Sequence, residues 1–176
     1  MQFKLDYIII LTLTSSILIS GCVQEEVINI NNVNKINIIQ NRSGWGNRYN
    51  YDAEIIKQNN EWNLDLEECA GFLLEVFENC SSSTTTVERS KVELFLNKLS
   101  LSIRRTKPTT PNPEFCRSDS GIKYKIEIDT KDKTYIFILV RGECYEPWEV
   151  TVDNKTMWAR YDLINDVRNF EKEFTE

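Results

Sequence analysis

Two segments rich in β-branched and aromatic side chains constrain the fold of this chain most strongly. Residues 122–129 and 134–141 have this composition, and Lys131-Asp132 lies between them. Such runs on either side of a short polar turn are typical of an antiparallel β-hairpin. The sequence therefore predicts a hairpin over residues 122–141.

Two further hairpins are predicted by the same kind of pattern. Residues 51–57 and 61–66 flank a turn that contains Asn59-Asn60. Asparagine tolerates a positive φ, so this pair suits a tight turn. Residues 148–152 and 156–158 flank a second polar turn and predict a shorter hairpin.

A first strand is predicted to precede these hairpins. Ile36 and Ile38 alternate with polar neighbours, which is the period of a half-buried strand. Residues 41–50 then read as a loop that holds Gly44-Trp45-Gly46.

Three apolar stripes with helical spacing predict three helices, because residues at i, i+3, i+4 and i+7 share one helix face. Asp65 with Glu68, and Thr85 with Glu88, have the spacing of a helix capping box. The first helix is expected over residues 66–80, and the stretch 81–86 is expected to be a loop. The stripes are Cys69, Phe72, Leu73, Val76, Phe77 and Cys80; Val92, Phe95, Leu96, Leu99 and Ile103; and Leu163, Ile164, Val167, Phe170 and Phe174.

Together these elements predict an α+β fold. We expect an antiparallel β-sheet built from hairpins, with two or three helices packed on one face. A shift of 73 residues places Tyr51 on Tyr124 and aligns the two longer hairpins. This alignment reads either as a ββα internal pseudo-repeat or as the generic pattern of an α+β protein.

Four cysteines, Cys69, Cys80, Cys116 and Cys144, follow Cys22. An even number of cysteines in an exported domain predicts two disulfides. Their wide spacing lacks the close pairs of a zinc site, so no metal is expected.

The pairing of these cysteines has two solutions. Cys116 and Cys144 fall near each other at the open end of the hairpin over residues 122–141, which favours Cys116–Cys144 and leaves Cys69–Cys80. A continuous helix over residues 66–80 would hold Cys69 and Cys80 about 16 Å apart, too far for a bond. Either that segment is partly extended, or the pairs are Cys69–Cys144 and Cys80–Cys116.

The four residues Ile19-Ser20-Gly21-Cys22 end an apolar run over residues 7–19. The run is too short to span a bilayer, so it reads as the core of a signal peptide. The motif resembles the lipobox of prokaryotic lipoprotein precursors, bacterial or archaeal. The resemblance implies cleavage before Cys22 and lipidation of Cys22. It also implies a protein of the cell envelope that is lipid-anchored to the cell membrane on its extracytoplasmic face.

The predicted organisation is therefore a signal peptide at residues 1–21, a lipidated tether at residues 22–34 and a single α+β domain at residues 35–176. The net charge of −6 argues against nucleic acid and against electrostatic binding to anionic lipid. The chain has no histidine, which removes Ser-His-Asp and Cys-His catalysis and the usual zinc ligand. No catalytic residue, cofactor or metal site is predicted.

The favoured function is a non-enzymatic module that binds a ligand, such as an envelope protein or a saccharide. Trp45 and Trp148 are the candidate binding aromatics, because both lie in predicted loops or turns. The alternatives are a structural or chaperone-like subunit of an envelope complex, whose sheet edge takes up a partner strand, and a carboxylate-based hydrolase. Asn41, Asn79 and Asn154 fit the N-glycosylation pattern.

Overall fold

The fold is described from a computed structural model over residues 28–44, 47–72, 79–107, 121–141, 148–160 and 162–175. Nine strands and two α-helices make up this part of the chain, and a short 3-10 helix, Ile30–Asn32, precedes the first strand. The elements in chain order are β1 (Val33–Gly44), β2 (Asn47–Gln58), β3 (Glu61–Phe72), β4 (Asn79–Val87), α1 (Arg89–Ser102), β5 (Ile103–Arg104), β6 (Gly121–Thr130), β7 (Thr134–Arg141), β8 (Glu149–Val152), β9 (Lys155–Ala159) and α2 (Leu163–Thr175).

All nine strands form one antiparallel sheet in the order β4-β3-β2-β1-β6-β7-β8-β9-β5. The three predicted hairpins are confirmed as β2–β3, β6–β7 and β8–β9. Asn59 and Asn60 have φ values of 50° and 67°, and Asp153 and Asn154 have values of 47° and 64°. Positive φ at both central residues of a two-residue turn matches the right-handed twist of the flanking strands.

The predicted first strand is confirmed, but it is longer than expected. β1 continues to Gly44 and β2 begins at Asn47, so most of the predicted loop over residues 41–50 is strand. Trp45 lies outside the described residues.

The predicted helix over residues 66–80 is wrong. β3 pairs with β2 from Glu61 to Phe72, and Asp65 and Glu68, the predicted cap, lie within this ladder. The apolar residues have helical spacing, but tertiary packing overrides it, because the alternate β3 residues Trp62, Leu64 and Leu66 are buried in the core. Residues 73–78 of the predicted helix lie outside the described residues.

The predicted loop over residues 81–86 is also wrong, because it forms most of β4 and pairs with β3. Thr85 therefore cannot cap a helix. α1 begins at Arg89, and Glu88 at its N-cap has an extended backbone and makes no side-chain cap hydrogen bond.

The two other predicted helices are confirmed as α1 and α2. The rings of Phe95 on α1 and Phe170 on α2 are stacked, with their centroids 4.0 Å apart. Ile103, the last member of the α1 stripe, belongs to β5 instead. The buried members of the two stripes are Val92, Phe95, Leu96, Leu99, Leu163, Ile164, Val167 and Phe170.

The connection through α1 requires a curved sheet. α1 follows β4, at one edge of the sheet, and leads directly into β5 at the other edge. A helix of 14 residues is about 21 Å long, whereas eight strand spacings in a flat sheet span roughly 38 Å. The sheet must therefore curl around α1.

One face of the sheet shares a single hydrophobic core with the two helices. Alternate residues of the central strands are buried on that face, while the residues between them are partly or fully exposed. Ile28 and Val33, which the sequence assigned to the tether, also belong to this core.

The predicted α+β class is wrong, because the structure is a β-rich fold in which 61% of the described residues are strand. Two segments expected as helix and loop are strands, and this changes the balance. The sheet contains two meanders that run outward from its centre, and each ends in a helix. The first contains β1 to β4 and ends in α1, and the second contains β6 to β9 and ends in α2. The 73-residue shift of the predicted ββα repeat aligns the hairpin β2–β3 with the hairpin β6–β7. By their positions in the sheet, however, β1 and β2 are the strands that correspond to β6 and β7.

Candidate functional site

The predicted binding aromatic Trp148 is not a surface group. Its side chain is only 6% exposed, and its Nε1–H donates to the carbonyl oxygen of Val140 at 2.8 Å. This indole packs in the core and cannot stack on a ligand at the surface. Trp45 and the predicted lipidation site Cys22 lie outside the described residues.

The disulfide prediction is confirmed for one pair. Cys69 on β3 and Cys80 on β4 are directly opposed, with Cα atoms 4.1 Å apart, and their sulfur atoms are bonded. The conflict between this bond and a helix disappears because the segment is extended. Cys116–Cys144 stays a prediction, since both residues lie outside the described part of the chain.

The three predicted glycosylation asparagines are exposed. Asn41 lies on β1, Asn79 begins β4, and Asn154 lies in the turn between β8 and β9. Their glycosylation stays a prediction.

The most unusual surface is the edge of the sheet formed by β4, residues 79–87, which we call the β4 edge. β4 is hydrogen-bonded to β3 on one side and ends the sheet on the other. Eight of its nine side chains are exposed, and only Val87 is buried. A strand in this position presents a row of backbone N–H and C=O groups that have no ladder partner.

Within the residues that the structure describes, the β4 edge lacks the usual protection against strand pairing. Edge strands are normally blunted by lysine, proline, a bulge or short length. β4 has nine residues, no charge and no proline, and its described pairing with β3 runs without a register shift. The opposite edge differs, because β5 has only two residues and β9 beside it starts with Lys155.

An acidic strip lies beside the β4 edge on the outer face of the sheet. Asp52 on β2 is directly opposite Glu67 on β3, and Glu54 is directly opposite Asp65. Like charges in directly opposed positions destabilise a sheet. Burial, and then Glu67 and Glu54, raise the pKa of Asp52 above its ordinary value.

Two neighbours partly neutralise this acidic strip. The Lys35 ammonium group forms an ion pair with Glu54. Thr84 Oγ1 on β4 donates a hydrogen bond to Asp65 at 2.7 Å. The strip still has an excess of negative charge along the two strands nearest the β4 edge.

The sulfur atoms of Cys69 and Cys80 and a carboxylate oxygen of Glu67 lie within 4.8 Å of one another. The two sulfurs are bonded together, and a metal binds thiolates rather than a disulfide. These three residues therefore support the structure of the β3–β4 hairpin and do not form a metal centre in this state.

A buried cluster of tyrosine and glutamate side chains lies on the core face of the sheet. Tyr124 Oη accepts a hydrogen bond from Gln40 Nε2 and donates one to Glu171 Oε2 at 2.9 Å. Tyr49 Oη donates to Glu68 Oε1 at 2.7 Å. Tyr51 is 2% exposed, and its hydroxyl has no hydrogen-bond partner among the described residues. We call these six residues the tyrosine–glutamate cluster.

Burial shifts the ionisation of this cluster. Burial raises the pKa of Glu171 to about 7, although the hydrogen bond from Tyr124 and the nearby Arg168 oppose the shift. Burial also raises the pKa of Tyr124, Tyr51 and Tyr49 above their ordinary value. The tyrosines therefore stay neutral, and Glu171 titrates near neutral pH.

Sequence reasoning missed both features. Residues 81–86 of β4 are predicted as a loop because serine and threonine dominate them, and their β-branched threonines are the signal that favours a strand. Glu171 follows directly after the core residue Phe170, and its burial shows only once α2 is packed on the sheet.

A separate open cleft of about 430 Å³ lies between the β6–β7 and β8–β9 turns. Its lining is largely polar and includes Lys131, Asp132, Thr151 and Asn154. No aromatic ring of the described residues lines it, so these residues give it no stacking surface for the predicted saccharide ligand.

Within the described ranges, neither helix is long and apolar enough to cross a bilayer. Comparison with protein-family models, with curated proteins and with solved structures gives no match for this chain.

Proposed function

We propose that this chain is a membrane-anchored lipoprotein of the extracytoplasmic face and that its domain is a non-enzymatic binding module. The β4 edge takes up an extended polypeptide segment, which adds a strand to the sheet. The single observation that carries this proposal is the unprotected β4 strand at the end of the sheet. In such strand addition, main-chain hydrogen bonds supply affinity and alternate side chains supply specificity.

The β3–β4 hairpin is well suited to hold this edge in place. The Cys69–Cys80 disulfide joins the two strands, and the hydrogen bond from Thr84 to Asp65 adds a second cross-strand link. A strand whose ladder is fixed in advance loses less conformational entropy when a partner binds.

The charges beside the edge specify the chemistry of the partner. A strand added to β4 would place every second side chain about two strand spacings, roughly 10 Å, from Asp65 and Glu67. Lysine or arginine at those positions would reach toward the acidic strip. We therefore expect a partner segment in which basic residues alternate with small or apolar ones.

The anchor is the lipid on Cys22, as the lipobox resemblance implies. Binding is favoured over catalysis because the chain has no histidine and the carboxylates of the acidic strip lie on an open sheet face. A structural or chaperone-like subunit of an envelope complex remains the second candidate, and the same free edge favours it.

The test is photo-crosslinking in the native envelope. The photoreactive residue p-benzoylphenylalanine replaces Ser82 on the β4 edge, or Lys131 in the exposed β6–β7 turn as a matched control. We expect a polypeptide adduct from position 82 and none from position 131. An adduct at both positions, or at neither, would contradict the proposal.

Proline variants then separate edge binding from general contact. Neighbouring residues of a strand point their N–H groups to opposite sides, so Ser82→Pro and Ser83→Pro differ in effect. One of them removes a ladder hydrogen bond to β3 and destabilises the hairpin. The other variant removes only an N–H group that points away from β3. For this comparison the photoreactive residue replaces Thr85. The second variant should then abolish the adduct and leave the thermal stability unchanged. Persistence of the adduct in that variant would exclude strand addition.

A further inference from the structure

The described chain begins at the side of α1. Ile28 is 3% exposed, and its N–H donates to Ser100 Oγ on α1 at 3.0 Å. If Cys22 carries the lipid, only residues 22–27 join the lipid to this point. Six residues span at most about 20 Å, whatever their conformation. The side of the domain near α1 must therefore lie close to the membrane.

The outer surface of α1 carries two exposed leucines. Leu94 is 56% exposed and Leu101 is 54% exposed, and they are the large apolar side chains that stand out as exposed in the described part of the chain. They are seven residues apart, which places them on the same side of the helix, two turns from each other. That side is opposite the buried stripe, which includes Val92 and Leu99.

Positive charge is concentrated in the same segment. Residues 89–107 contain one acidic residue, Glu93, and six basic residues, which gives a net charge of +5 (6 − 1). The whole chain has a net charge of −6, so the remainder carries −11 (−6 − 5). The basic residues are Arg89, Lys91, Lys98, Arg104, Arg105 and Lys107.

Two of these lysines form ion pairs with α2. Lys91 lies 3.2 Å from Glu173, and Lys98 lies 3.0 Å from Asp166. Both lysine side chains are more than a third exposed, so solvent screens these pairs and they contribute little stability. The ammonium group of Lys91 can exchange the exposed Glu173 carboxylate for a lipid phosphate at little cost, whereas Asp166, the partner of Lys98, is only 22% exposed.

We propose that the outer face of α1, with Leu94 and Leu101 at its centre and Lys91 and Lys98 along its flank, lies on the surface of an anionic bilayer. This inference rests on the lipid anchor proposed above. Apolar side chains on one helix face, flanked by lysine and arginine, are the pattern of a helix that binds the membrane interface. Basic residues near such a surface are attracted to anionic lipid headgroups.

The docked orientation has a consequence for binding. β4 leads into α1 through Glu88 alone, so the end of the β4 edge lies next to the docked helix. A fixed α1 would hold the β4 edge at a constant distance from the bilayer. The negative net charge of the whole chain argues against attraction to anionic lipid. That argument does not hold for this face, because segment 89–107 has a positive net charge and the negative charge lies in the rest of the chain.

The test uses the full acylated protein reconstituted in vesicles of phosphatidylcholine and phosphatidylglycerol in a 7:3 ratio. The photoreactive residue replaces Asn97, which is exposed between the two leucines, or Lys131 as a control. We expect a phospholipid adduct by mass at position 97 and none at position 131. The Leu94→Gln/Leu101→Gln double variant, whose two changes are on the surface, should lower the adduct yield at least about fivefold with unchanged thermal stability.

Every other outcome overturns the inference. An adduct between two copies of the chain would assign this face to a dimer, and the absence of any adduct would leave it facing solvent. A phospholipid adduct of equal yield in the double variant would show that the leucines play no part. A failure of the proposed lipid anchor can be distinguished from a failure of this inference. If Cys22 is not acylated, the intact mass of the protein will show no added acyl chains.

Discussion

Replacing Glu171 with glutamine should remove a pH-dependent loss of stability. Glu171 is 8% exposed, and burial raises its pKa from 4.5 to about 7 in the folded protein. Between these two values the folded state binds more protons than the unfolded state, so stability falls as pH rises. The stabilisation is fully present below about pH 4.5 and is lost as pH rises through about 7.

The size of this effect follows from the shift. A difference of about 2.5 pKa units corresponds to roughly 3 kcal/mol of unfolding free energy. Between pH 5 and pH 8 the wild type should lose about 2.5 kcal/mol through this group. Tyr124 and Arg168 favour the ionised form, whereas Glu68 opposes it, and all of them are included in the folded pKa.

The assay is urea unfolding of the wild type and Glu171→Gln at pH 5, 6, 7 and 8. The free-energy difference between the two proteins should grow with pH in favour of the variant. Glu173→Gln, on the same helix but exposed, is the matched control and should follow the wild-type slope. A difference between wild type and Glu171→Gln that stays flat from pH 5 to pH 8 would refute the assigned pKa.

Four further variants test the packing and the disulfide. Tyr51→Phe should stabilise the fold by about 1 kcal/mol, because it removes a buried hydroxyl that has no partner among the described residues. Tyr124→Phe should destabilise it by about 2 kcal/mol, because it leaves the buried groups that Tyr124 joins without a hydrogen bond. Urea unfolding measures both changes, and equal effects would contradict the hydrogen-bond assignment. Replacing Cys69 and Cys80 with alanine should cost about 3 kcal/mol by the loop-entropy relation, and unchanged stability under the same assay would argue against the bond. Leu99→Ala should lower the unfolding free energy by about 3 kcal/mol through a core cavity, and a loss below about 1 kcal/mol would place Leu99 outside the core.

Elements fixed by local patterns could be predicted from the sequence. The turn at Asn59 and Asn60 is encoded by two residues that tolerate positive φ, and the hairpin around it follows. Helices α1 and α2 follow from apolar stripes whose described members are buried as expected.

Elements fixed by distant partners could not be predicted. The segment from Cys69 to Cys80 has helical spacing, yet the ladder with β2 and the pairing with β4 make its described parts extended. The order of strands in the sheet, and therefore the free edge, depends on the contact between β1 and β6, which are far apart in sequence. The burial of Glu171 and Trp148 likewise depends on packing that no local pattern records.

Residue-resolved amide hydrogen exchange along β4 tests the central claim, a free strand edge, most directly. If β4 pairs with β3 alone, amides along residues 79–87 should alternate between slow exchange, where the N–H faces β3, and exchange at least about tenfold faster, where it faces solvent. Uniformly fast exchange would mean that the segment is a loop, and uniformly slow exchange would mean that the edge is already covered.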